Sequence, residues 1–413
     1  MTFRKVYYLF CSRSFAEWRN RLMVFGSHRY RVSRLFSTAS KTSLYDVHLK
    51  YGGKMVDFSG WSLPVQYGSV GIIESCLHTR SKASLFDVSH MGQLLIHGKD
   101  REAFIESLTV SDMKGLDLNE SCLTVFTTEA GGIIDDALVT KKSDSVLVVL
   151  NAGCVEKDVR HLEEAKESFK GEVEITLMRE HSLIALQGPE AAKALQPLVE
   201  RIDLSRLSFM SAINAQIAGI QDCCVSRSGC TGEDGFEISI PNDASAVHIV
   251  ETLLSDNTVR LAGLGARDTL RIEAGLCLYG SDIDESISPI EAGLGWTISK
   301  RRRAEMNFPG ANAILEQIQK GVRSKRVGLT ILEGPPARHG NRIFSTSDLS
   351  HPVGRTTSGT YSPSLGQSIA IGYVDAPHAT AGTDLQVEVR GKLHPVQVTK
   401  MPFVKPNYYR VRE

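Results

Sequence analysis

The most informative segment of the chain reads Arg227-Ser-Gly-Cys-Thr-Gly-Glu-Asp-Gly-Phe-Glu237. Glycines at this density let a backbone turn sharply and approach a ligand closely. Glu237 opens the apolar run Ile238-Ser-Ile240, so its carboxylate is expected where a loop enters a strand. An ionised carboxylate only accepts hydrogen bonds and would suit a flat heterocycle with adjacent N–H donors. The alternative is an ordinary hairpin loop whose acids are solvated.

The chain as a whole has the composition of an ordinary globular protein. It has 413 residues, of which 42% are hydrophobic and 23% charged, enough for two or three domains with ample cores. No later window approaches the roughly 18 uninterrupted apolar residues of a membrane span. Eight cysteines are scattered without a C-x-x-C pair or a histidine cluster at zinc spacing. We therefore expect reduced thiols, no metal and no membrane partner.

The first forty residues differ from the remainder. Residues 1–40 hold seven Arg and one Lys against the single acid Glu17, and they are rich in Ser. This composition is typical of a mitochondrial transit peptide and predicts a matrix protein. The alternative is a disordered basic arm that binds nucleic acid. We favour mitochondrial import and expect no nucleic-acid partner.

Hydrophobic periodicity predicts an α+β body followed by a β domain. Strands are expected at Ile133–Thr140, Ser145–Leu150 and Glu237–Ile240, and helices at Arg101–Leu108 and Leu261–Gly275. From Arg326 onward the pattern is nearly all strand, which suggests a small barrel or sandwich. The predicted segments are 1–40 for targeting, 41–300 for the body, 301–325 for a connection and 326–413 for the β domain. The predicted β-domain strands are Val327–Leu332, Val353–Ser358, Ile369–Val374, Leu385–Val389 and Val396–Lys400.

Two adjacent acids interrupt an otherwise apolar strand. Asp135 and Asp136 must point to opposite faces, because side chains alternate along a strand. At least one of the two acids is expected on a partly buried face. A carboxylate there is hydrogen-bonded or paired with a cation, or its pKa is raised. Periodicity does not distinguish between them, and one is expected to bond to the preceding Gly131-Gly132 turn.

Two arginines, a tyrosine and a basic run each have a structural and a functional interpretation. Arg267 follows three small residues, which leaves its guanidinium room to reach a ligand, whereas Arg271 is expected in a structural ion pair. Tyr408, in the terminal Tyr pair, is either packing or an aromatic ligand contact. The run Lys300-Arg-Arg-Arg303 is either a solvated face or a site that steers an acidic partner protein.

In order along the chain, from about residue 42 to the C-terminus, several motifs resemble the aminomethyltransferase, or T-protein, family of the glycine cleavage system. The motifs are Gly60-Trp-Ser-Leu-Pro-Val-Gln-Tyr67, Phe86-Asp-Val-Ser-His-Met91, Gly131-Gly-Ile-Ile-Asp-Asp136, the Arg227–Glu237 loop, Ala266-Arg-Asp-Thr-Leu-Arg271 and Gly275-Leu-Cys-Leu-Tyr-Gly280.

The resemblance implies two α+β segments around a folate channel and a C-terminal β-barrel. It also implies an enzyme that moves the methylene carbon of an aminomethyl-lipoyl H-protein to tetrahydrofolate. The implied products are 5,10-methylene-tetrahydrofolate, ammonia and dihydrolipoyl H-protein, with the glycine dehydrogenase and dihydrolipoyl dehydrogenase components as further partners. Matching the family's motifs makes Asp136 catalytic and makes Glu237, Arg267 and Tyr408 folate contacts. Whether Asp136 is a general base or an orienting group stays open.

Two other functions fit parts of the pattern. The folate domain of a sarcosine or dimethylglycine dehydrogenase would accompany a flavin domain with a G-x-G-x-x-G fingerprint, which this sequence does not show after an N-terminal strand. A non-enzymatic folate-fold protein for iron–sulfur cluster assembly would carry Lys-Gly-Cys-Tyr-x-Gly-Gln-Glu. The present loop departs from the transferase pattern at Cys230, where family members usually have Tyr, and no neighbouring residue suggests a reactive thiol there.

Overall fold

Residues 39–411 are those that the computed structural model describes, so the predicted targeting segment 1–40 lies outside them except for its last two residues. Their strands, numbered in chain order, are β1 Ser40–Lys41, β2 Gly53–Phe58, β3 Trp61–Tyr67, β4 Ala83–Asp87, β5 Gly92–His97, β6 Ser121–Thr127, β7 Ile133–Lys141, β8 Ser145–Leu150, β9 Glu174–Leu177, β10 Ser182–Gln187, β11 Ala212–Ile217, β12 Ile220–Ser226, β13 Gly235–Ile240, β14 Val259–Leu261, β15 Ser324–Ile331, β16 Arg342–Ser345, β17 Pro352–Ser362, β18 Gln367–Asp375, β19 Asp384–Val389 and β20 Lys392–Thr399.

The α-helices are shorter and lie between the strands. In chain order they are α1 Tyr45–Lys50, α2 Ile72–Ser81, α3 Arg101–Leu108, α4 Val155–Ser168, α5 Ala191–Leu195, α6 Asp243–Leu254, α7 Leu264–Glu273, α8 Lys300–Glu305 and α9 Ala311–Lys320. Within residues 39–411, no helix is both long and apolar enough to span a bilayer.

Two large sheets form the body of the molecule. One has the strand order β11-β12-β13-β10-β4-β14 and the other the order β6-β7-β8-β5-β9. Strands rich in β-branched residues build both; β8, for example, reads Ser-Val-Leu-Val-Val-Leu and is buried throughout. Neighbouring strands in these two sheets run antiparallel, except that β14 pairs with β4 in parallel. This arrangement confirms the predicted α+β class.

Helix α4 covers the outer face of the second sheet because its apolar residues recur at helical spacing. Val159, Leu162 and Ala165 pack against the core that β5, β7 and β8 supply. Asp158 lies on the same buried stripe and is 1% exposed, although an acid is unusual at such a position.

A closed six-stranded barrel follows the body, in the order β15-β18-β17-β16-β19-β20. It packs against α7, where Ile272 contacts Ile369 and Ile371 of the barrel. Arg271 donates to Ser358 Oγ at 2.7 Å, and Glu273 accepts from Ser362 Oγ at 2.5 Å. The predicted C-terminal barrel is confirmed, and α7 is the element that fixes it to the body.

The structure corrects the sequence interpretation at three elements. Strand β16 is a sixth barrel strand that the periodicity did not predict, because it is only four residues long. Helix α9 contributes 10 ordered residues to the segment 301–325 expected to be a connection. The helix predicted over Leu261–Gly275 begins at Leu264, because Leu261 pairs with Leu85 and a side chain at Gly263 would come within 2.6 Å of the Pro64 carbonyl oxygen.

Candidate functional site

The space between the two large sheets receives side chains from both. In the first sheet, Ala185 pairs with Glu237 on one side and with Phe86 on the other, so these three side chains share a face. Ala185 and Phe86 pack in one apolar cluster with Leu138 of the second sheet. Leu138 is two residues beyond Asp136 on β7, which puts both on one face. Asp136 and Glu237 therefore project into the same space from opposite walls.

Asp136 is partly buried and shares one donor group with its neighbour. The amide Nδ2 of Asn151 lies 2.8 Å from Asp136 Oδ1, 3.0 Å from the Asp136 carbonyl oxygen and 2.9 Å from Asp135 Oδ1. An amide has two N–H bonds for these three acceptors. Burial, followed by the negative charge of Asp135, raises the pKa of Asp136 to about 7. Its carboxyl group can therefore change charge near neutral pH.

Asp135 points away from this space into the core under α4, so the structure resolves which acid lies on which face. It is fully buried, and atoms of Asp135, Cys154 and Asp158 lie within 4.8 Å of one another. Burial raises the pKa of Asp135, and hydrogen bonding from Asp158 and Asn151 opposes that rise. Among residues 39–411 this is the one group of three side chains with the spacing of metal ligands.

Glu237 is the third residue of β13, so it lies inside the strand rather than at its entrance. Its Oε2 accepts from Ser228 Oγ at 2.7 Å. Gln187 holds the preceding loop by donating to the Ser228 carbonyl oxygen at 2.9 Å and accepting from Thr231 Oγ1 at 2.8 Å. A side chain at Gly229 would meet Gln187 Oε1 at 2.0 Å, so a larger residue there would have to displace Gln187 from these hydrogen bonds. Glu237 is thus half-buried on a rigid strand.

The other acids of the loop are structural. Asp234 accepts from Nε and Nη2 of Arg227 at 2.9 and 2.6 Å, and Arg227 is 2% exposed. Glu233 accepts from Arg80 at 2.9 Å and is also buried. The reading of this segment as a hairpin with solvated acids is therefore wrong, since both carboxylates are paired with buried or nearly buried guanidinium groups.

Arg267 and Arg271 lie one turn apart on α7 and have different surroundings. Arg271 is buried and donates to Asp268, Asp282 and Ser358, which confirms the expected structural ion pair. Arg267 is half-buried, and its guanidinium Nη2 lies 3.7 Å from Met91 Sδ. It also borders a small cavity lined by Leu63, Pro64, Phe86, Asp87, Ala262, Gly263 and Leu264. The guanidinium of Arg267 can therefore donate to a ligand oxygen.

Cys230 interacts electrostatically with three residues that are predicted to contact the ligand. Burial raises the pKa of its thiol, with Arg267 and Glu237 acting on it in opposite directions. Burial and the nearby Cys230 also raise the pKa of Tyr408 to about 12. The ring of Tyr408 stacks on Phe209, with centroids 4.0 Å apart. Glu237, Arg267 and Tyr408 thus each interact electrostatically with one thiol, which stays protonated at neutral pH and is a poor nucleophile.

The chain reaches this site again after the barrel. The backbone N–H of Asn407 donates to the Gly232 carbonyl oxygen at 2.8 Å, and that of Phe209 donates to the Tyr409 carbonyl oxygen at 2.8 Å. Arg227 lies over the Tyr409 ring, 3.9 Å from its centroid. The terminal tyrosines are therefore both packed, Tyr408 on the Phe209 ring and Tyr409 under the Arg227 guanidinium.

The basic run at residues 300–303 is not a free cationic face. Arg301 pairs with Glu106, Asp112 and Glu305, and the fully buried Arg302 donates to the Thr109 carbonyl oxygen. Arg303 donates to two backbone carbonyl oxygens of the preceding turn. Only Lys300 of the four is exposed, which removes the electrostatic basis for docking an acidic partner here.

Sequence reasoning missed three residues of this site. Asn151 donates to Asp135 and Asp136, Ser228 donates to Glu237, and Asp158 lies within 4.8 Å of Asp135. Asn151 carries no periodic signal, because it follows the last residue of β8, and Ser228 resembles any loop serine. Asp158 did leave a signal, since it falls on the apolar stripe of α4, where an acid is out of place.

Comparisons with known proteins agree along nearly the whole described chain. Residues 44–302 match the family model of the GCVT N-terminal domain, and residues 325–405 match that of the glycine cleavage T-protein C-terminal barrel domain. The mitochondrial aminomethyltransferase of Dictyostelium discoideum is 48% identical over 393 residues, covering 92% of this chain and 96% of that protein. The mouse mitochondrial aminomethyltransferase is 48% identical over 384 residues, covering 92% and 94%.

A solved structure gives the same result. The crystal structure of glycine cleavage system aminomethyltransferase T from Bartonella henselae superimposes with a TM-score of 0.84 at 36% identity, covering 90% of this chain and 100% of that one. Both the order of the elements and the barrel are therefore shared with a protein of that description.

Proposed function

This chain belongs to the glycine cleavage T-protein family, and from that membership we propose how its residues carry out the transfer of a one-carbon group. It is an aminomethyltransferase. The observation that carries the assignment of residues is that Asp136 and Glu237 project into one space between the sheets. Glu237, Arg267 and Tyr408 also each interact electrostatically with Cys230.

Tetrahydrofolate is the proposed acceptor, bound as a substrate. One oxygen of Glu237 is held by Ser228, which leaves the other to accept from the adjacent amino and ring N–H groups of the pterin. Arg267 has no carboxylate partner among its described contacts, so its planar guanidinium can bind an oxygen of the folate. Tyr408 offers a ring face and a protonated hydroxyl. These groups fit a flat, polar heterocycle with an anionic tail.

The proposed reaction transfers the methylene carbon of an aminomethyl group on a lipoyl thiol of the H-protein. Nitrogen N5 of the folate supplies the nucleophile, a C–N bond forms, ammonia leaves, and the lipoyl sulfur departs as a thiol when N10 closes the ring. The protein holds the folate nitrogen and the methylene carbon in line, which makes the encounter effectively intramolecular. The products are 5,10-methylene-tetrahydrofolate, ammonia and dihydrolipoyl H-protein, and the transfer changes no oxidation state.

Asp136 is the proposed catalytic residue. In its ionised form it stabilises the positive charge on the reacting carbon and nitrogen, within a partly buried site where charge interactions are stronger than in water. A pKa of about 7 also lets it accept the proton that N5 or N10 loses. In both roles, the hydrogen bond that Asn151 donates to Oδ1 fixes the rotamer of Asp136.

Location and partners follow from the same proposal. The named relatives are mitochondrial, and we place this enzyme in the mitochondrial matrix, with residues 1–40 as the targeting segment. Its partners would be the lipoylated H-protein and, through it, the glycine dehydrogenase and dihydrolipoyl dehydrogenase components. We propose the division into a folate-binding body at 41–300, a connection at 301–325 and a barrel domain at 326–413. No metal is required for this reaction.

The test is a transfer assay with purified protein, aminomethylated H-protein and tetrahydrofolate, in which ammonia and 5,10-methylene-tetrahydrofolate are both followed. The proposal predicts equal amounts of the two products and no methylene product when either substrate is omitted. Folate binding without either product would instead favour a non-enzymatic folate-fold protein of iron–sulfur cluster assembly. Product formed from sarcosine or dimethylglycine in place of the H-protein would favour a dehydrogenase-type folate domain.

A further inference from the structure

Two buried carboxyl groups lie beneath the site and take no part in the transfer described above. Asp135 is 0% exposed and Asp158 is 1% exposed. Their oxygens and the thiol of Cys154 lie within 4.8 Å of one another. Among the described residues, no backbone or side-chain donor reaches either oxygen of Asp158. Two ionised carboxylates cannot remain this close in a low dielectric without a proton or a cation between them.

Within residues 39–411, no cationic side chain forms an ion pair with Asp135 or Asp158. Lys157, the neighbour of Asp158, extends to the Ile134 carbonyl oxygen, the Tyr279 hydroxyl and Glu285 instead. On the next turn of α4, His161 has a buried Nε2 without a partner, and burial lowers its pKa, so it is neutral at pH 7. Asp136, on the opposite face of β7, adds a further negative charge rather than a positive one.

The remaining groups around the pair favour a proton over a metal ion. Burial and the two aspartates raise the pKa of the Cys154 thiol well above its usual range, and the thiolate is the form that binds metals. Asn151 already donates to Asp135 from its side chain and, at 3.3 Å, from its backbone N–H. Asp135 is therefore the better supported anion, and Asp158, which lacks any donor, is the side chain that must itself supply one.

We propose that Asp135 and Asp158 share a single proton, with Asp158 present as a neutral carboxylic acid that donates to Asp135. The pair then carries one negative charge instead of two. Asp135 stays oriented towards Asn151, and Asn151 stays bonded to Asp136 at 2.8 Å. Asp158 is thus a positioning residue that acts on Asp136 through two intermediate side chains. The direction of its pKa, raised by burial and by Asp135, agrees with this assignment.

Infrared difference spectroscopy tests the shared proton without reference to turnover. At pH 7 the wild type should show the C=O stretching band of a protonated buried carboxyl, with the usual shift in D₂O, and the Asp158→Asn variant should lack that band. A wild type without the band would overturn the proposal. Evidence that the cluster is a cation site would also overturn the proposal. In that case Zn²⁺ would abolish the band and stabilise the wild type, and it would leave the Asp158→Asn variant unchanged.

Thermal unfolding against pH gives a second, independent measurement. Asp158 keeps its proton in the folded protein at pH values where the unfolded chain, with a pKa of about 4, has lost it. Unfolding therefore releases a proton, and the wild type loses stability relative to Asp158→Asn as the pH rises. The Tm difference between variant and wild type should grow steadily from about pH 5 to pH 8. Glu167→Gln, at an exposed position of α4, is the matched control and should give a constant difference. A constant difference for Asp158→Asn as well would contradict the shared proton.

The consequence for catalysis rests on the proposed function and has its own readout. Asp158→Leu removes the donor at similar volume, and kcat should fall by about tenfold with the dissociation constant of tetrahydrofolate nearly unchanged. Asp158→Asn restores a donor to Asp135 and should recover most of the lost rate. Equal rates for the two variants would show that Asp158 does not position Asp136, and the infrared band would still report on the proton. Absence of transfer in the wild type would count against the proposed function alone.

Discussion

Nδ2 of Asn151 lies 2.8 Å from Oδ1 of Asp136, and the same nitrogen also serves Asp135 on the opposite face of β7. Three oxygens thus compete for two N–H bonds. Burial and the neighbouring charge of Asp135 disfavour the charged form of Asp136, and the shared hydrogen bond from Asn151 only partly offsets them, so the pKa is raised to about 7. A site that must handle positive charge and protons at neutral pH benefits from such a group.

The first prediction concerns pH. If ionised Asp136 is the active form, the single-turnover rate should fall as pH falls through about 7, reaching about one tenth at one unit below the pKa. The sign for stability is opposite, since an acid whose folded pKa is raised contributes its full stability below its unfolded pKa and loses it as pH rises through 7. A rate independent of pH between about 6 and 8 would rule out this dependence.

Asn151→Asp should move the same profile. The substitution replaces a donor with a third carboxylate at nearly constant volume, so the pKa of Asp136 should rise by about one unit or more. At pH 7 the transfer rate should drop about tenfold and recover in more alkaline buffer. Asn151→Ala, which removes the donor without adding charge, is the control and should shift the profile less. A uniform loss at every pH would indicate damaged geometry instead of a changed pKa.

Glu237→Gln should weaken folate binding. The amide keeps the shape of the side chain but replaces one acceptor oxygen with a donor, and losing a hydrogen bond to a charged group corresponds to about a 10- to 100-fold rise in the dissociation constant. Ser228→Ala removes only the hydroxyl that holds Oε2, so a rise of less than about fivefold is expected. Equilibrium titration with tetrahydrofolate measures both. Unchanged affinity in Glu237→Gln would place the pterin elsewhere.

The two arginines of α7 should separate binding from stability. Arg271→Met leaves Asp282 buried without its cation and should lower the free energy of unfolding by about 3–5 kcal/mol. Arg267→Met has no ion pair to break among its described contacts, so unfolding should change by less than about 1 kcal/mol, whereas folate affinity falls. Denaturant unfolding and folate titration on both variants check this. Equal destabilisation of the two would contradict the different roles.

Much of the fold could be predicted from sequence, for reasons that differ between elements. The strand Ser145–Leu150 and the helix Arg101–Leu108 agree with the structure to the residue, since a strong periodic pattern bounded by turn residues fixes both. Strand β16 could not be predicted, because four residues are too few to show a strand period and its partners β17 and β19 are known only from the structure. Likewise, the start of α7 is set by the close packing of Gly263 on Pro64, a tertiary contact that periodicity does not contain.

The site was predictable only in part. Motif matching selected Asp136, Glu237, Arg267 and Tyr408, and their roles remain predictions to be tested. Which of the two adjacent aspartates faces the space between the sheets required the packing of Leu138, on the same face of β7 as Asp136, against Phe86 and Ala185. The basic run at 300–303 was misleading, because composition shows charge but not the buried acids and carbonyl oxygens that neutralise it.

The central claim is that this chain performs the transfer with Asp136, and a single-turnover experiment on protein lacking residues 1–40 tests it most directly. Wild type and Asp136→Asn are each mixed with aminomethylated H-protein and tetrahydrofolate, and ammonia and 5,10-methylene-tetrahydrofolate are measured alongside folate affinity. We predict stoichiometric products from the wild type, and a rate at least about 100-fold lower in the variant with folate affinity largely retained. Near-normal turnover in Asp136→Asn would contradict the account.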